Sequence, residues 1–181
     1  MIPPDAPADA LLDVVTQMLA DASIVTVAEI EARIALTNRA SPQQGARMVA
    51  RAWTDPEYRR LLLRDGTAAA EALGTAMRGL PPLGVLENRA SLHHLVVCTL
   101  CSCYPRAVRD PRGLLADWNT ALPDDTAIRV VDSTADYRWM VLPLRPAGTD
   151  GLSAQRLADL VREGDMIGIT LPVLPDQPPA P

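Results

Sequence analysis

The sequence predicts an α+β protein in which an amino-terminal helical arm precedes a layered α-β-β-α domain carrying a cysteine metal claw. Three observations support this fold class. Apolar residues recur at helical spacing early in the chain, β-branched runs bounded by turn residues follow later, and all three cysteines lie within six residues. We expect the arm at residues 1–78, the cysteine-bearing domain at 79–172, and a Pro-rich disordered tail at 173–181.

The first 75 residues are predicted to be helical. Residues 9–19 place four apolar side chains on one face, namely Leu11, Val14, Val15 and Met18. Thr26 and Glu29 have the spacing of a capping box at the start of a second helix. Pro42 is predicted at the first position of a third helix, whose apolar stripe of Met48, Val49 and Trp53 is typical of core packing.

The second half of the chain alternates between strand and helix patterns. Residues 92–97 are predicted to form a strand that leads into the cysteines. Residues 127–131 and 137–144 are predicted to pair as a hairpin, because the turn-forming segment 133–136 separates them. Short helices are expected at 111–118 and 153–163, and a final strand at 166–171.

Charge and hydropathy restrict the class of partner. The net charge is -5 and the pI is about 5.0, so the overall charge gives no argument for binding nucleic acid or an anionic membrane surface. No stretch approaches the roughly 18 apolar residues of a membrane-spanning helix, and the first residues do not have the pattern of a signal peptide. Three unpaired cysteines are typical of a cytoplasmic location.

The spacing of Cys98, Cys101 and Cys103 is suited to a metal site. Cys101 and Cys103 flank Ser102, so the amide nitrogens of Ser102 and Cys103 lie between two sulfurs. If both amides lose their protons, chelate rings of five and six members join two nitrogens and two sulfurs in one plane. Cys98 can add a sulfur from below this plane, and the opposite position stays open, as in catalytic rather than structural metal sites.

Other interpretations of the cysteines remain at this point. A Cys101–Cys103 disulfide would be strained and would leave an odd cysteine. A zinc site could combine three sulfurs with His93 or His94, although such a histidine pair is more often structural. An iron–sulfur cluster would normally need a fourth cysteine. Spacing alone favours a redox-inert trivalent metal, then zinc, then iron–sulfur.

The segment from residue 96 to 105, Val-Val-Cys-Thr-Leu-Cys-Ser-Cys-Tyr-Pro, resembles the metal-binding loop of the nitrile hydratase α subunit. The similarity extends over roughly residues 40–172 and includes the run Gly-Ala-Arg-Met-Val-Ala-Arg-Ala-Trp at 45–53 and Arg-Pro-Ala-Gly-Thr at 145–149. The γ subunit of thiocyanate hydrolase shares this claw, and so do nucleoside nitrile hydratases whose β partner is split into two chains, such as toyocamycin nitrile hydratase. The claw alone therefore does not determine the substrate.

The resemblance implies a lyase subunit that hydrates a nitrile to the amide and works with a β-type partner subunit in a hetero-oligomer. Thr99 marks the cobalt members of the family, so it implies cobalt(III) rather than iron(III). The implied metal ligands are Cys98, Cys101, Ser102 and Cys103, with Cys101 as a sulfinic acid and Cys103 as a sulfenic acid and catalytic nucleophile. The resemblance also implies a maturation protein. A non-catalytic zinc- or cobalt-binding module is the alternative from another functional class.

One departure from the family follows the claw directly. The family places a Trp- and Pro-rich stretch behind the claw, whereas here Pro105 is followed at once by Arg106. We expect either a true deletion, which would alter the substrate pocket, or a segment that the sequence omits. The arginines of this region, Arg106, Arg109 and Arg112, are expected to pair with carboxylates of this chain or of a partner.

Overall fold

The computed structural model describes residues 8–38 and 41–174, and these fall into two compact units that divide between residues 40 and 41. The first unit contains helices α1 (Ala8–Asp21) and α2 (Val27–Asn38). The predicted capping box is confirmed, because Thr26 N donates to Glu29 Oε2 at 2.8 Å and Glu29 N donates to Thr26 Oγ1 at 3.2 Å. Each of the four predicted apolar face residues of α1 is at least 40% exposed.

The second unit begins with three helices, α3 (Pro42–Thr54), α4 (Pro56–Arg64) and α5 (Gly66–Ala72). Aspartates define where the later two start. Asp55 Oδ1 accepts from Glu57 N at 2.9 Å, and Asp65 Oδ1 accepts from Ala68 N at 2.9 Å, so each carboxylate satisfies an amide that has no partner within its helix. The predicted helical character of residues 41–75 is confirmed.

The rest of the second unit alternates strands and short helices. In chain order these are β1 (Leu83–Glu87), β2 (Leu92–Val97), α6 (Tyr104–Arg109), α7 (Pro111–Asp117), β3 (Ala127–Asp132), β4 (Arg138–Leu142) and α8 (Ala154–Asp159), followed by a 3-10 turn at Glu163–Met166. The predicted strand at 92–97 is confirmed residue for residue. The mixture of helices and strands is consistent with the α+β class.

The predicted hairpin is wrong. β3 and β4 do not pair with each other; β3 lies parallel to β2, with Leu92 opposite Ala127, and β4 lies parallel to β1, with Leu83 opposite Arg138. A local turn does form between them, since Thr134 N donates to Tyr137 O at 3.0 Å. Beyond this turn the two strands enter different two-stranded sheets.

The predicted strand at 166–171 is also wrong. Residues after the 3-10 turn form further turns, and Ile169 N donates to Gly164 O at 2.9 Å. One strand-like contact remains, because Val96 N of β2 donates to Ile167 O at 2.8 Å. The segment therefore runs beside β2 without becoming a regular strand.

Two apolar clusters hold the second unit together. The larger one is buried between α3, α4, α5, β1, β4 and α8, and it includes the predicted stripe residues Met48 and Val49, with Trp53 packed against it. The smaller one lies under β2 and contains Leu95, Val97, Ala107, Leu114 and Leu115. Helices α3 to α5 thus share a core with β1 and β4. The predicted domain boundary at residue 78 stays a prediction.

Nothing in the ranges 8–38 and 41–174 has both the length and the apolar character that a bilayer-spanning helix needs.

Candidate metal centre

The three cysteines lie on the connection between β2 and α6. Cys98 directly follows the last residue of β2, and Cys103 immediately precedes α6. Two turns compact the connection, because Cys101 N donates to Cys98 O at 2.9 Å and Tyr104 N donates to Cys101 O at 3.0 Å. Ala107 N then donates to Cys103 O at 2.9 Å, so the last cysteine is tied to the first turn of α6.

Cys101 and Cys103 bring their sulfurs together. The two Sγ atoms are 2.7 Å apart, Cys101 is exposed and Cys103 is partly buried. The hydrogen bond from the Cys103 thiol lowers the pKa of the Cys101 thiol, and the same contact raises the pKa of Cys103. The thiolate is the form of cysteine that binds metals and is oxidised.

The peptide nitrogens between these sulfurs are available as ligands. Among the residues that the structure describes, no backbone carbonyl accepts a hydrogen bond from the amide of Ser102 or of Cys103. Two thiols that face each other across two amides without carbonyl partners fit a metal that takes nitrogen and sulfur in one plane. The donor set thus fits the predicted equatorial claw.

A preformed cage of side chains is not present. Within the described ranges, no three His, Cys, Asp or Glu side chains are grouped so that they could hold one metal ion. A metal on this loop would therefore depend on the paired sulfurs and the peptide nitrogens. This arrangement differs from a tetrahedral zinc cage, in which four side chains supply the ligands.

The histidines that a zinc site would need are engaged elsewhere. His93 Nε2 lies 2.7 Å from Gly168 O, which can only accept, so this nitrogen carries the proton and Nδ1 accepts from Asn88 Nδ2 at 3.0 Å. Asn88 Oδ1 accepts from the backbone amide of His94 at 2.8 Å. Burial lowers the pKa of both imidazoles, which favours their neutral forms. The structural interpretation of this pair is supported.

Asp132, the last residue of β3, and Ser133, which follows it, form hydrogen bonds to the start of the cysteine loop and to the end of β2. Thr99 N donates to Asp132 Oδ1 at 3.1 Å, and Ser133 N donates to Val97 O at 2.7 Å. Because β2 and β3 are parallel, their carboxyl ends meet at one edge of the sheet, which places Asp132 beside the start of the claw. Sequence reasoning did not find this role, since it paired β3 with β4.

A cavity of about 370 Å³ opens beside the cysteines. We call it the claw cavity and define it by its lining residues, which come from β2, the claw, the end of α7, β4 and the segment after the 3-10 turn: Val96, Val97, Cys98, Cys101, Cys103, Trp118, Ser133, Arg138, Trp139, Ile167 and Ile169. Its walls are mainly apolar, and Arg138 is the charged residue among them. Sequence reasoning did not find the two tryptophans, because they reach the cavity from separate elements.

The arginines behind the claw divide into two kinds. Arg106 forms the predicted type of ion pair, since its Nη1 lies 2.5 Å from Asp117 Oδ2, and both side chains are at least half exposed. Arg112 instead donates to backbone carbonyls, with Nη2 to Thr126 O at 2.6 Å and Nη1 to Leu122 O at 3.0 Å. Within the described residues Arg112 therefore joins α7 to the approach to β3 through backbone carbonyls, and pairing with a carboxylate of a partner stays a prediction.

Solved structures define the class of protein. The chain superposes on a double mutant of the Fe-type nitrile hydratase from Comamonas testosteroni Ni1 with a TM-score of 0.83 and 34% identity, covering 99% of this chain and 97% of that one. The chain therefore has the fold of a nitrile hydratase subunit.

Sequence comparisons then identify the family. The family described as nitrile hydratase, alpha chain, matches residues 6–108 and 105–170, so the chain belongs to this family. It is 43% identical over 158 residues to the low-molecular weight cobalt-containing nitrile hydratase subunit alpha of Rhodococcus rhodochrous, covering 77% of this chain and 76% of the relative. It is also 39% identical over 160 residues to the thiocyanate hydrolase subunit gamma of Thiobacillus thioparus, covering 72% and 66%.

The same comparisons locate a missing segment. The family match divides behind the claw, where its two ranges meet at residues 105–108. The alignment to the Rhodococcus subunit has 158 positions and covers 77% of this 181-residue chain. That share of the chain is fewer than 158 residues, so some positions hold a residue of the relative opposite a gap in this chain. Relatives therefore carry residues that this chain lacks, and the division of the family match places them directly after the claw.

Proposed function

We propose that this chain is the metal-binding α subunit of a cobalt nitrile hydratase, which adds water across the C≡N bond of a nitrile to give the amide. The observation that carries the proposal is the claw itself, in a chain of the nitrile hydratase alpha family. Its paired sulfurs lie 2.7 Å apart, and the amides between them have no carbonyl partner within the described residues.

The proposed ligands are the sulfurs of Cys98, Cys101 and Cys103 and the amide nitrogens of Ser102 and Cys103. Bound cobalt(III) would supply Lewis acidity to the nitrile nitrogen. Cobalt is favoured over iron because curated relatives are named as cobalt-containing, although the Comamonas structure is Fe-type. Thr99 within the claw is the residue that favours cobalt by resemblance.

Cys103 is proposed as the catalytic residue. Its sulfenate oxygen would attack the nitrile carbon or orient the water that does so, and Cys101 would be held as the sulfinate. Cys98, partly buried at the end of β2, would remain a thiolate opposite the open position.

A β-type partner subunit is proposed to complete the active site. Cys101 and Leu100 are exposed, and Leu100 is 93% exposed, so the claw of this chain lacks a cover on that side. The curated relatives are named as subunits, which agrees with an enzyme that is active as a hetero-oligomer. A maturation protein that delivers cobalt is part of the same proposal.

The test is to measure metal content together with the mass of the peptide containing residues 98–103 under non-reducing conditions, in the complex with its partner. We expect bound cobalt, two added oxygens on Cys101 and one on Cys103, and conversion of a nitrile to its amide. Cys103→Ser is expected to abolish turnover. Zinc with three unmodified cysteines in an assembled complex would refute the proposal and favour a non-catalytic metal-binding module.

A second candidate is the γ subunit of a thiocyanate hydrolase. It is favoured by the 39% identity to the Thiobacillus subunit and by a TM-score of 0.80 to a recombinant thiocyanate hydrolase with partially modified cobalt centres, covering 93% of this chain. Thiocyanate also presents a C≡N group that could enter at the same claw. Parallel assays of nitriles and thiocyanate with the same complex separate the two candidates.

A further inference from the structure

Trp139 forms part of the walls of two cavities. It lines the claw cavity, and it also lines a second cavity of about 290 Å³, to which Gly84 of β1 contributes. Gly84 is buried and lies directly opposite Trp139 in the parallel pair of β1 and β4. An indole that borders the claw cavity therefore lies beside a glycine of a strand outside the claw.

Aromatic atoms occupy the space that a side chain at position 84 would need. A Cβ on Gly84 would lie 2.5 Å from Cζ3 and 2.6 Å from Cε3 of Trp139, and 2.7 Å from Cε1 of Tyr137. Carbon atoms in contact are about 3.5–4.0 Å apart, so the indole would have to shift by roughly 1 Å or more. Trp139 can keep its observed position only while residue 84 has no side chain.

The backbone conformation at position 84 does not by itself call for glycine. Gly84 lies inside β1, and among the described glycines a left-handed φ is found at positions 74, 79, 148, 151 and 168 instead. A glycine within a strand weakens it and often marks the close approach of another group. The approaching group here is the Trp139 ring, which also packs against Tyr137 with 4.9 Å between centroids.

The backbone of Trp139 is connected to the start of the cysteine loop. Its amide donates to Ser133 Oγ at 3.3 Å, and Ser133 N donates to Val97 O at 2.7 Å, one residue before Cys98. Pairing with β1 fixes the same strand from the other side. Because the strand is held in this way, the clash with a new Cβ falls on the indole ring, and the wall of the claw cavity changes with it.

We propose that Gly84 is a positioning residue for nitrile hydration. Its missing side chain lets the Trp139 ring take its place in the wall of the claw cavity, and this sets the space that a nitrile occupies beside the cysteines. The inference rests on the proposed hydratase function and adds a residue that acts through Trp139. A displaced ring either narrows the cavity or withdraws a contact from it, and a misplacement of about 1 Å at a reacting site can cost on the order of 100-fold in rate.

The kinetic test compares acetonitrile and benzonitrile in the complex with its partner subunits. Gly84→Ala should raise KM for benzonitrile about tenfold or more and change kcat by less than about threefold. The smaller acetonitrile should lose less than about threefold in kcat/KM, because it needs less of the cavity. Gly151→Ala is the matched control, since its φ of +79° strains the fold while nothing lies within 4 Å of the new Cβ. The control should leave both nitriles unaffected.

A second variant isolates the contact between the two residues. Trp139→Leu removes the ring atoms closest to position 84, so adding Gly84→Ala to it should change kcat/KM for benzonitrile by less than about twofold. The double variant should also assemble if Gly84→Ala alone does not fold. A double variant that fails to assemble, or that loses as much as Gly84→Ala loses alone, would overturn the inference.

A spectroscopic test does not require turnover. The chain contains three tryptophans, at positions 53, 118 and 139, so labelling it alone with 5-fluorotryptophan before assembly gives three ¹⁹F resonances in the complex. The resonance of Trp139 is the one absent from Trp139→Leu. Gly84→Ala should shift this resonance and leave that of Trp53 in place, because Trp53 lines a different cavity. Gly151→Ala should shift none of the three.

The outcomes separate this inference from the function on which it rests. An aromatic ring over a strand glycine can also serve the sheet alone. If that is its whole role, Gly84→Ala will lower stability while the kinetics of both nitriles stay unchanged, and the inference is overturned. An unmoved Trp139 resonance overturns it as well. A parent complex that hydrates no nitrile would overturn the proposed function, and the ¹⁹F spectra would still decide whether Gly84 positions Trp139.

Discussion

Gly168 offers the sharpest test of how the claw is supported. Its φ is +78°, and a Cβ at this position would lie 1.9 Å from the carbonyl oxygen of His94. Gly168→Ala therefore destabilises the fold in two ways. The left-handed conformation costs an alanine about 1–2 kcal/mol. The clash must also separate this segment from β2, where buried hydrogen bonds to His93 (2.7 Å) and Val96 (2.8 Å) are lost, at about 1–3 kcal/mol each.

The expected loss in the free energy of unfolding for Gly168→Ala is about 3–8 kcal/mol, measured by urea denaturation followed by circular dichroism. Gly151→Ala is the matched control, because Gly151 has a φ of +79° and nothing within 4 Å of its would-be Cβ. The control should lose only about 1–2 kcal/mol. Equal losses in the two variants would refute the reasoning, since the contact with β2 would then contribute nothing.

Three further predictions follow from single contacts. Asp132→Ala should weaken cobalt binding by the complex about tenfold or more in competition with a chelator, whereas Asp132→Asn, which keeps an acceptor for Thr99 N, should retain most of the affinity. Burial raises the pKa of Tyr58 to about 12, so its neutral form stabilises the fold fully below about pH 10, and this contribution is lost as the pH rises from about 10 to 12. Tyr58→Phe should flatten that part of the curve of stability against pH, measured by urea denaturation at each pH. Arg112→Met should cost about 2–3 kcal/mol in urea denaturation because it leaves carbonyls of the approach to β3 without a donor, while Arg106→Met, which breaks an exposed ion pair, should cost under about 1 kcal/mol.

Local signals in the sequence were sufficient for helices α1 to α5 and for the strand before the claw, but they did not indicate α6. Thr26 and Glu29 satisfy each other's amides within four residues, and Pro42 supplies a helix start without needing a distant partner. The strand at 92–97 was predictable because its β-branched and aliphatic residues are bounded by polar segments. The cysteine loop was recognisable for the same reason, since all three cysteines lie within six consecutive residues.

The prediction failed where strand pairing depends on distant parts of the chain. The segment 133–136 has the composition of a hairpin turn, and a turn does form there, closed by Thr134 and Tyr137. Turn composition does not determine which partner each strand finds beyond the turn. Burial decides that: β4 ends in the fully buried Val141 and in Leu142, which packs in the larger core with β1, whereas β3 lies over the smaller core with β2.

This difference in pairing has a direct consequence for the claw. In a hairpin, the carboxyl end of one strand meets the amino end of the next, so Asp132 would have lain beside β4. In the observed parallel pair, the carboxyl ends of β2 and β3 meet, and binding sites in sheets of parallel strands characteristically form at that edge. Cys98 leaves β2 at the point where Asp132 and Ser133 leave β3, and hydrogen bonds to Thr99 N and Val97 O join the two ends. The cysteine spacing therefore supplies the proposed donor atoms, while the parallel topology supplies the acceptor that orients the first turn of the cysteine loop.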